Sequence, residues 1–112
     1  MENFLTDNED LLFTFDALDL EYIVKLYEDD FAEAGVYPHA PKDYADAKDS
    51  YRRVLEIVGQ IAAEYMAPHA AEVDATGVRL EDGEVVFAPA TAKAWDMLRK
   101  AELTGMSFSR KH

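Results

Sequence analysis

The sequence predicts a small all-α domain that carries one short β-hairpin. Two observations support this fold class: apolar residues recur at helical spacing over three segments, and an Asp82-Gly83 pair separates two short runs of strand-forming residues. The chain has 112 residues, of which 49% are apolar, which is enough for one hydrophobic core and argues against global disorder. We expect an acidic N-terminal arm over residues 1–18 and a helical domain over residues 19–112.

The first helix is predicted after the arm. Residues 1–18 mix acids with apolar side chains, which indicates an irregular segment docked on the domain. From Asp19 to Ala34, apolar residues recur at the i, i+3, i+4, i+7 and i+11 spacing of one helical stripe, namely Leu20, Ile23, Val24, Tyr27 and Phe31. Asp19 is the expected N-cap, and Gly35 is expected to end the helix.

The longest helix is predicted to begin at Asp43. Pro38 and Pro41 favour an extended connection before it, because a residue that precedes proline avoids the helical region. Asp43 is suited to the N-cap, and Asp46 stands at the acidic position of a capping box. The expected inward stripe comprises Tyr51, Val54, Leu55, Val58, Ile61, Ala62 and Tyr65.

Proline and glycine divide the segment that follows. Pro68 has no N–H for the helical ladder, so we expect the helix to kink or restart there, with residues 69–74 as a short extra turn and Gly77 as its end. Residues 78–87 then predict two strands around Asp82-Gly83, a dipeptide typical of tight hairpin turns. Because an isolated hairpin is only marginally stable in water, we expect this one to lie on the helices.

A last helix is predicted from about Ala90 to Glu102, with an apolar face formed by Ala94, Trp95, Leu98 and Ala101 and a break at Gly105. No closing element follows, so we interpret the C-terminus as a truncation of a longer domain. Apolar residues near this end would then lack their packing partners, which predicts either self-association or a docked tail. They are Leu98, Leu103, Met106 and Phe108.

Charge and composition exclude several classes of function. The formal net charge is -12, and residues 1–33 hold 11 acidic residues against Lys25 alone, so nucleic acids and anionic membranes are poor partners. The absence of cysteine excludes disulfides, thiolate nucleophiles and cysteine-based metal sites. The sequence shows neither a signal peptide nor an apolar stretch long enough to span a bilayer, which favours a cytoplasmic location.

A metal site is not predicted. The di-iron helical bundle requires a Glu three positions before a His on an inward face, but Val36 and Met66 occupy these positions before His39 and His69. We therefore interpret the two histidines as surface or capping residues.

Nucleophilic, acid-base and nucleotide sites are not predicted either. Ser50, Ser107 and Ser109 stand in no nucleophile motif, and Asp29 and Asp30 are neighbours that do not share a helix face. The five glycines form no phosphate-binding motif. We predict no catalytic, cofactor-binding or metal-binding residue in this chain.

Two segments resemble the N-terminal helical region of the acyl-CoA dehydrogenase family. Residues 58–77 are similar to a family helix that ends in an Ala-Pro step, here Ala67-Pro68, followed by an acid and a glycine. Residues 95–106 resemble the next helix with its Ala-x-Leu-x-Gly exit. The hairpin resembles an insertion of larger bacterial members, including those acting on methylthio-propionyl-CoA. The resemblance covers residues 44–112.

The resemblance implies an acyl-CoA dehydrogenase N-terminal domain whose parent enzyme uses FAD. Family members remove an α-proton with a Glu base while a β-hydride goes to FAD, which yields an enoyl-CoA. The base and most flavin contacts belong to the middle β-domain and the C-terminal bundle, so none is carried over to this chain. The resemblance thus implies a non-catalytic fragment without FAD of its own, whose partners are the remaining domains and, in the parent, acyl-CoA. The alternative is a free-standing acidic helical module that binds a basic protein.

Overall fold

The computed structural model describes residues 2–112, which are mostly helical, so the predicted fold class is confirmed. Within them lie five α-helices and one antiparallel hairpin: α1 Glu9–Ala17, α2 Glu21–Tyr27, α3 Tyr44–Ile61, α4 Ala67–Thr76, β1 Arg79–Glu81, β2 Glu84–Val86 and α5 Pro89–Lys100. A π-helical turn, Ala62–Met66, joins α3 to α4. No helix in the described part is both long and apolar enough to cross a membrane.

The N-terminal arm is not irregular, because it contains α1. The side chain of Asn8 accepts hydrogen bonds from the backbone N–H groups of Asp10 and Leu11, which caps the helix. The sequence pattern missed this helix because its apolar residues follow no single stripe, and none of the residues of α1 is buried.

The arm does dock on the domain, as predicted, and its partner is α3. The Asn3 side-chain amide donates to the Glu56 carbonyl at 2.9 Å, and the Phe4 N–H donates to the Gly59 carbonyl at 3.1 Å. Leu5 is buried, with 7% of its surface exposed. Gly59 permits this contact, because a Cβ there would lie against the Asn3 side chain and 2.9 Å from the Leu5 backbone nitrogen.

The predicted single helix over residues 19–34 is wrong, because α2 already ends at Tyr27. The turn Asp29–Phe31 has φ values of 49°, 51° and 62°, and these left-handed angles reverse the chain. Asp19 does bond to the first turn of α2, where its carboxylate accepts the N–H of Glu21 at 3.1 Å, although Leu20 takes the N-cap position.

The long helix is capped as predicted, and a new helix, α4, begins at Ala67, where a kink or restart was predicted. Asp43 accepts the N–H of Asp46 at 2.9 Å. The backbone stays right-handed through the π-helical turn into α4, with Pro68 in the first turn of α4. There the Ala67 N–H bonds to the Ala62 carbonyl five residues back, and this wider turn accommodates a residue that cannot join the ladder. Gly77 ends α4, as predicted.

The buried stripe of α3 differs in part from the prediction. Ile61 is buried, but Leu55 and Val58 are 39% and 36% exposed. The residues that α3 buries are Ala47, Gly59 and Ile61, so small residues make the closest contacts. The helix therefore approaches its neighbours closely and buries little apolar area.

The hairpin forms as predicted but does not lie on the helices. Asp82 and Gly83 have φ values of 51° and 82°, the two positive angles of a type I′ turn. Leu80 faces Val85 across the strands, and these two side chains are 74% and 60% exposed. The hairpin therefore exposes the apolar side chains of Leu80 and Val85 to solvent.

The last helix begins at Pro89, one residue before the predicted start, and buries Ala90 and Ala94. Trp95, expected on the apolar face, is 61% exposed. The helix ends at Lys100, before Gly105, and left-handed Glu102, with φ 60°, then turns the chain.

The core is thin for a chain of this size. The accessible surface is 8326 Å², whereas a compact monomer of this mass exposes about 6,200 Å². The radius of gyration is 17.5 Å, against about 13 Å for a compact domain of this length. Five of the buried apolar residues are alanines, and no large side chain is completely buried among the described residues. The structure therefore leaves much apolar surface uncovered.

We expect Ile61→Ala to lower the free energy of unfolding by about 2 to 4 kcal/mol, because it removes buried methyl groups and leaves a cavity. The matched control is Ile57→Ala on the same helix, where the side chain is 43% exposed and the expected loss is about 1 kcal/mol or less. Urea denaturation measures both values. Equal losses would show that the buried face of α3 is assigned wrongly.

Candidate functional site

Four polar side chains from distant parts of the chain meet at the end of α2. We call them the Glu28 cluster: Glu28, Glu33, Tyr51 and Arg110. One guanidinium nitrogen of Arg110, Nη1, lies 2.7 Å from Oε2 of Glu28 and 2.7 Å from Oε2 of Glu33. The Tyr51 hydroxyl donates to the other oxygen of Glu28, Oε1. Both carboxylate oxygens of Glu28 are therefore bound.

The cluster neutralises a carboxylate that the fold has removed from water. Only 3% of the Glu28 surface is exposed, and an unpaired charge at such a position would be strongly destabilising. Burial, followed by the hydrogen bond to Glu28, raises the pKa of Tyr51 well above its usual range. The hydrogen bond to Glu28 is also the main cause that raises the pKa of Arg110. Tyr51 thus acts as a hydrogen-bond donor to Glu28, and Arg110 acts as its permanent cation.

The cluster joins the C-terminal segment to both sides of the left-handed turn Asp29–Phe31. Glu28 lies immediately before this turn and Glu33 shortly after it, and Arg110 bridges the two. Nearby, the Tyr27 hydroxyl donates to the Met106 carbonyl at 2.8 Å. The C-terminal segment is therefore docked, which is one of the two outcomes predicted for this end, but the docking contacts are polar and Met106 and Phe108 stay 55% and 70% exposed. Because its carboxylate is fully engaged, Glu28 is suited to holding the fold rather than to proton transfer.

A second feature is an apolar groove of about 580 Å³ between the π-helical turn with α4 on one side and α5 on the other. Its lining consists largely of small or apolar side chains, namely Phe4, Ala62, Met66, Ala67, Ala70, Val73, Ala90 and Ala94, with Tyr65, His69, Asp74 and Thr91 as the polar members. The volume lies in the range of ligand and peptide pockets.

Two polar side chains of the groove, Tyr65 and His69, are held by each other and by Lys93 of α5. The rings of Tyr65 and His69 stack with centroids 4.3 Å apart, and Nδ1 of His69 lies 2.7 Å from the Tyr65 carbonyl. Lys93 places its ammonium 4.8 Å from the centroid of the Tyr65 ring. His69, predicted to be a surface or capping residue, is thus a half-buried residue of the groove wall that bonds to the preceding turn.

The other residues considered from the sequence do not converge. His39 is exposed, Ser50 lies half-buried on α3, and Ser107 and Ser109 lie exposed in the C-terminal segment. Asp29 and Asp30 are exposed in the left-handed turn. Among residues 2–112, no group of three or more His, Asp or Glu side chains could hold a metal ion.

Comparison of the sequence with models of protein families gives no match, and comparisons with curated proteins and with solved structures give none.

The sequence prediction missed the Glu28 cluster entirely. A signal for it was present, because Glu28 follows Val24 by four positions and so extends the buried face of α2 with a charged residue. A carboxylate on a buried helix face requires a cation, and Arg110 supplies it from 82 positions further along the chain. Sequence spacing contains no information on so distant a pair.

We expect Arg110→Gln to lower the free energy of unfolding by about 3 kcal/mol, because it leaves the buried carboxylate of Glu28 without its cation. The control is Arg53→Gln, which removes an exposed ion pair with Asp49 and should cost about 0.5 kcal/mol or less. Chemical denaturation compares the two variants. A loss as small as that of the control would show that the cluster does not stabilise the fold.

Tyr51 should remain protonated at pH values where an ordinary tyrosine ionises. We expect the rise in near-ultraviolet absorbance between about pH 8 and pH 11 to be the same for the folded protein and for folded Tyr51→Phe. In urea, where the cluster is absent, the absorbance rise of the variant should be smaller than that of the unchanged protein by the contribution of one of the six tyrosines. Circular dichroism verifies folding at each pH. If the folded variant also showed an absorbance rise smaller by one tyrosine, the geometry of the cluster would be contradicted.

Proposed function

We propose that this chain is the N-terminal helical domain of an FAD-dependent acyl-CoA dehydrogenase of the cytoplasm, and that it is a non-catalytic part of that enzyme. The observation that supports this most directly is the uncovered apolar surface. An accessible surface of 8326 Å² on a thin, alanine-rich core is expected of a domain that packs against further protein.

Part of the uncovered apolar surface lies in the region that carries the resemblance. Large apolar side chains are exposed on α5, on the hairpin and in the C-terminal segment, where Trp95, Leu80 and Phe108 are 61%, 74% and 70% exposed. All three lie within residues 44–112, the part of the sequence that resembles the dehydrogenase family. In the proposed enzyme, these side chains would be covered by the remaining domains.

The apolar groove suggests how the domain contributes. Ala67, the first residue of the Ala67-Pro68 step that is central to the resemblance, lines one wall of the groove, and α5 forms the other wall. In the proposed enzyme, this surface would cover one side of the region that receives the acyl-CoA substrate. An acyl chain requires apolar walls, and the lining of the groove is of that kind.

The described residues do not fit FAD by themselves. A dinucleotide pyrophosphate needs several converging N–H donors, usually at a glycine-rich turn that opens a helix. The groove is lined mainly by alanine and other apolar side chains, and the glycines with positive φ, Gly35, Gly77 and Gly83, lie in separate open turns. We therefore assign FAD to the other domains of the proposed enzyme and derive no chemical step in this chain.

The test is to isolate the native protein with antibodies raised against this chain and to measure its mass and its visible spectrum. We expect a polypeptide considerably larger than 12.6 kDa that carries a flavin, whose absorbance an acyl-CoA substrate bleaches. The purified 112-residue chain is the control, and we expect it to bind neither FAD nor acyl-CoA with micromolar affinity.

Two results would overturn the proposal. A native polypeptide of 12.6 kDa without flavin would favour the free-standing interaction module. Micromolar binding of FAD to the 112-residue chain would instead reveal a flavin site within it.

A further inference from the structure

We propose that the outward face of α2 binds a basic amphipathic helix of a partner protein. This inference does not depend on the proposed enzyme, because it concerns other residues than those of the resemblance. Four large apolar side chains form the face, namely Tyr22, Ile23, Leu26 and Tyr27, and they are 62% to 75% exposed. We call this set the α2 face.

The α2 face is a continuous stripe. Its members stand at positions i, i+1, i+4 and i+5, which places them on one side of the helix, whereas Val24 and Glu28 are buried on the other side. Seven helical residues extend over about 10 Å, so the stripe matches two turns of an opposing helix. Four neighbouring large side chains at such exposure are more than the scattered apolar residues of an ordinary surface.

Acidic residues border the α2 face at both ends. Asp19 and Glu21 stand at its beginning, and Asp29 and Asp30 follow its end, all of them exposed. Lys25 is the one cation within this stretch of sequence, and it is already bound to Glu21 at 2.8 Å. Four surface carboxylates against one lysine leave an excess negative charge, which would attract lysine or arginine side chains.

A hollow at the beginning of α2 gives such a side chain a place to bind. Its volume is about 380 Å³, and its lining consists of Asp19, Glu21, Tyr22 and Lys25. The ring of Tyr22 offers an apolar surface to the stem of a lysine or arginine, and the carboxylate of Asp19 offers an acceptor to its charged end, whereas Glu21 is already paired with Lys25. The apolar stripe and the acidic hollow thus require the same kind of partner.

The charge of the chain decides among the possible occupants. A second copy would bring another net charge of -12 and the same acidic border against this face. Repulsion between the like charges opposes such a dimer. An anionic membrane surface is repelled in the same way. A basic amphipathic helix supplies both the apolar stripe and the cations, and it is the occupant to which we commit.

The probe for this surface is a labelled helical peptide of about 14 residues with leucine on one face and lysine on the other. We expect it to bind the 112-residue protein with micromolar affinity by fluorescence anisotropy, and more weakly as salt rises. A peptide with glutamate in place of lysine should not bind.

Matched variants locate the binding. Ile23→Ser and Leu26→Ser should each raise the dissociation constant about tenfold. Leu80→Ser, at a leucine of the hairpin that is even more exposed, should change it less than about twofold. Asp29→Asn with Asp30→Asn should weaken binding, whereas Asp82→Asn with Glu84→Gln, which removes the same charge from the hairpin, should not. Because all of these residues are exposed, the variants should have the same melting temperature as the unchanged protein.

Two results would overturn the inference. The first is peptide binding that the hairpin variants weaken as much as the α2 variants, which would indicate a general attraction to an acidic protein. The second is a dimer in sedimentation that Leu26→Ser disrupts, which would show that a second copy occupies the face.

Discussion

The buried carboxylate of Glu28 is the constraint on which the arrangement of the chain depends. It lies at the end of α2 with 3% of its surface exposed, so it requires partners, and Tyr51 from α3 and Arg110 from the C-terminal segment provide them. The same guanidinium binds Glu33, beyond the left-handed turn Asp29–Phe31. Left-handed residues other than glycine cost on the order of 1 kcal/mol each, and the ion pairs on both sides of the turn hold it in place, because opening it would leave the buried Glu28 carboxylate without its cation.

The thin core explains why a polar cluster has this importance. Ala47, Ala63, Ala88, Ala90 and Ala94 make up much of the buried surface, and alanine lets helices approach closely while it contributes little hydrophobic free energy. The helices therefore pack around α3 and α4 without a hydrophobic core of large, fully buried side chains. Specific polar links, such as Asn3 to Glu56 and Arg110 to Glu28, connect segments that apolar contact alone would hold weakly.

Two surfaces with different chemistry remain for binding. The groove between α4 and α5 is almost entirely apolar, which suits burial against other domains or beside an acyl chain. The α2 face is apolar at its centre and acidic at both ends, which suits a basic helix. They are built from different secondary-structure elements, so the domain is able to pack within a larger enzyme and to offer a separate surface to a partner.

The sequence by itself determined the local structure wherever neighbouring residues decide the conformation. Asp43 capped α3, Gly77 ended α4, and Asp82-Gly83 formed the hairpin, because each of these depends on residues within a few positions. Tertiary structure decided the rest. The break after Tyr27 accompanies the pairing of Glu28 with Arg110, whereas the exposure of Trp95 and the apolar groove depend on how the other helices pack. Helical periodicity shows which residues share a face, but only the packing of the other segments decides whether that face is covered and whether a charge on it finds a partner.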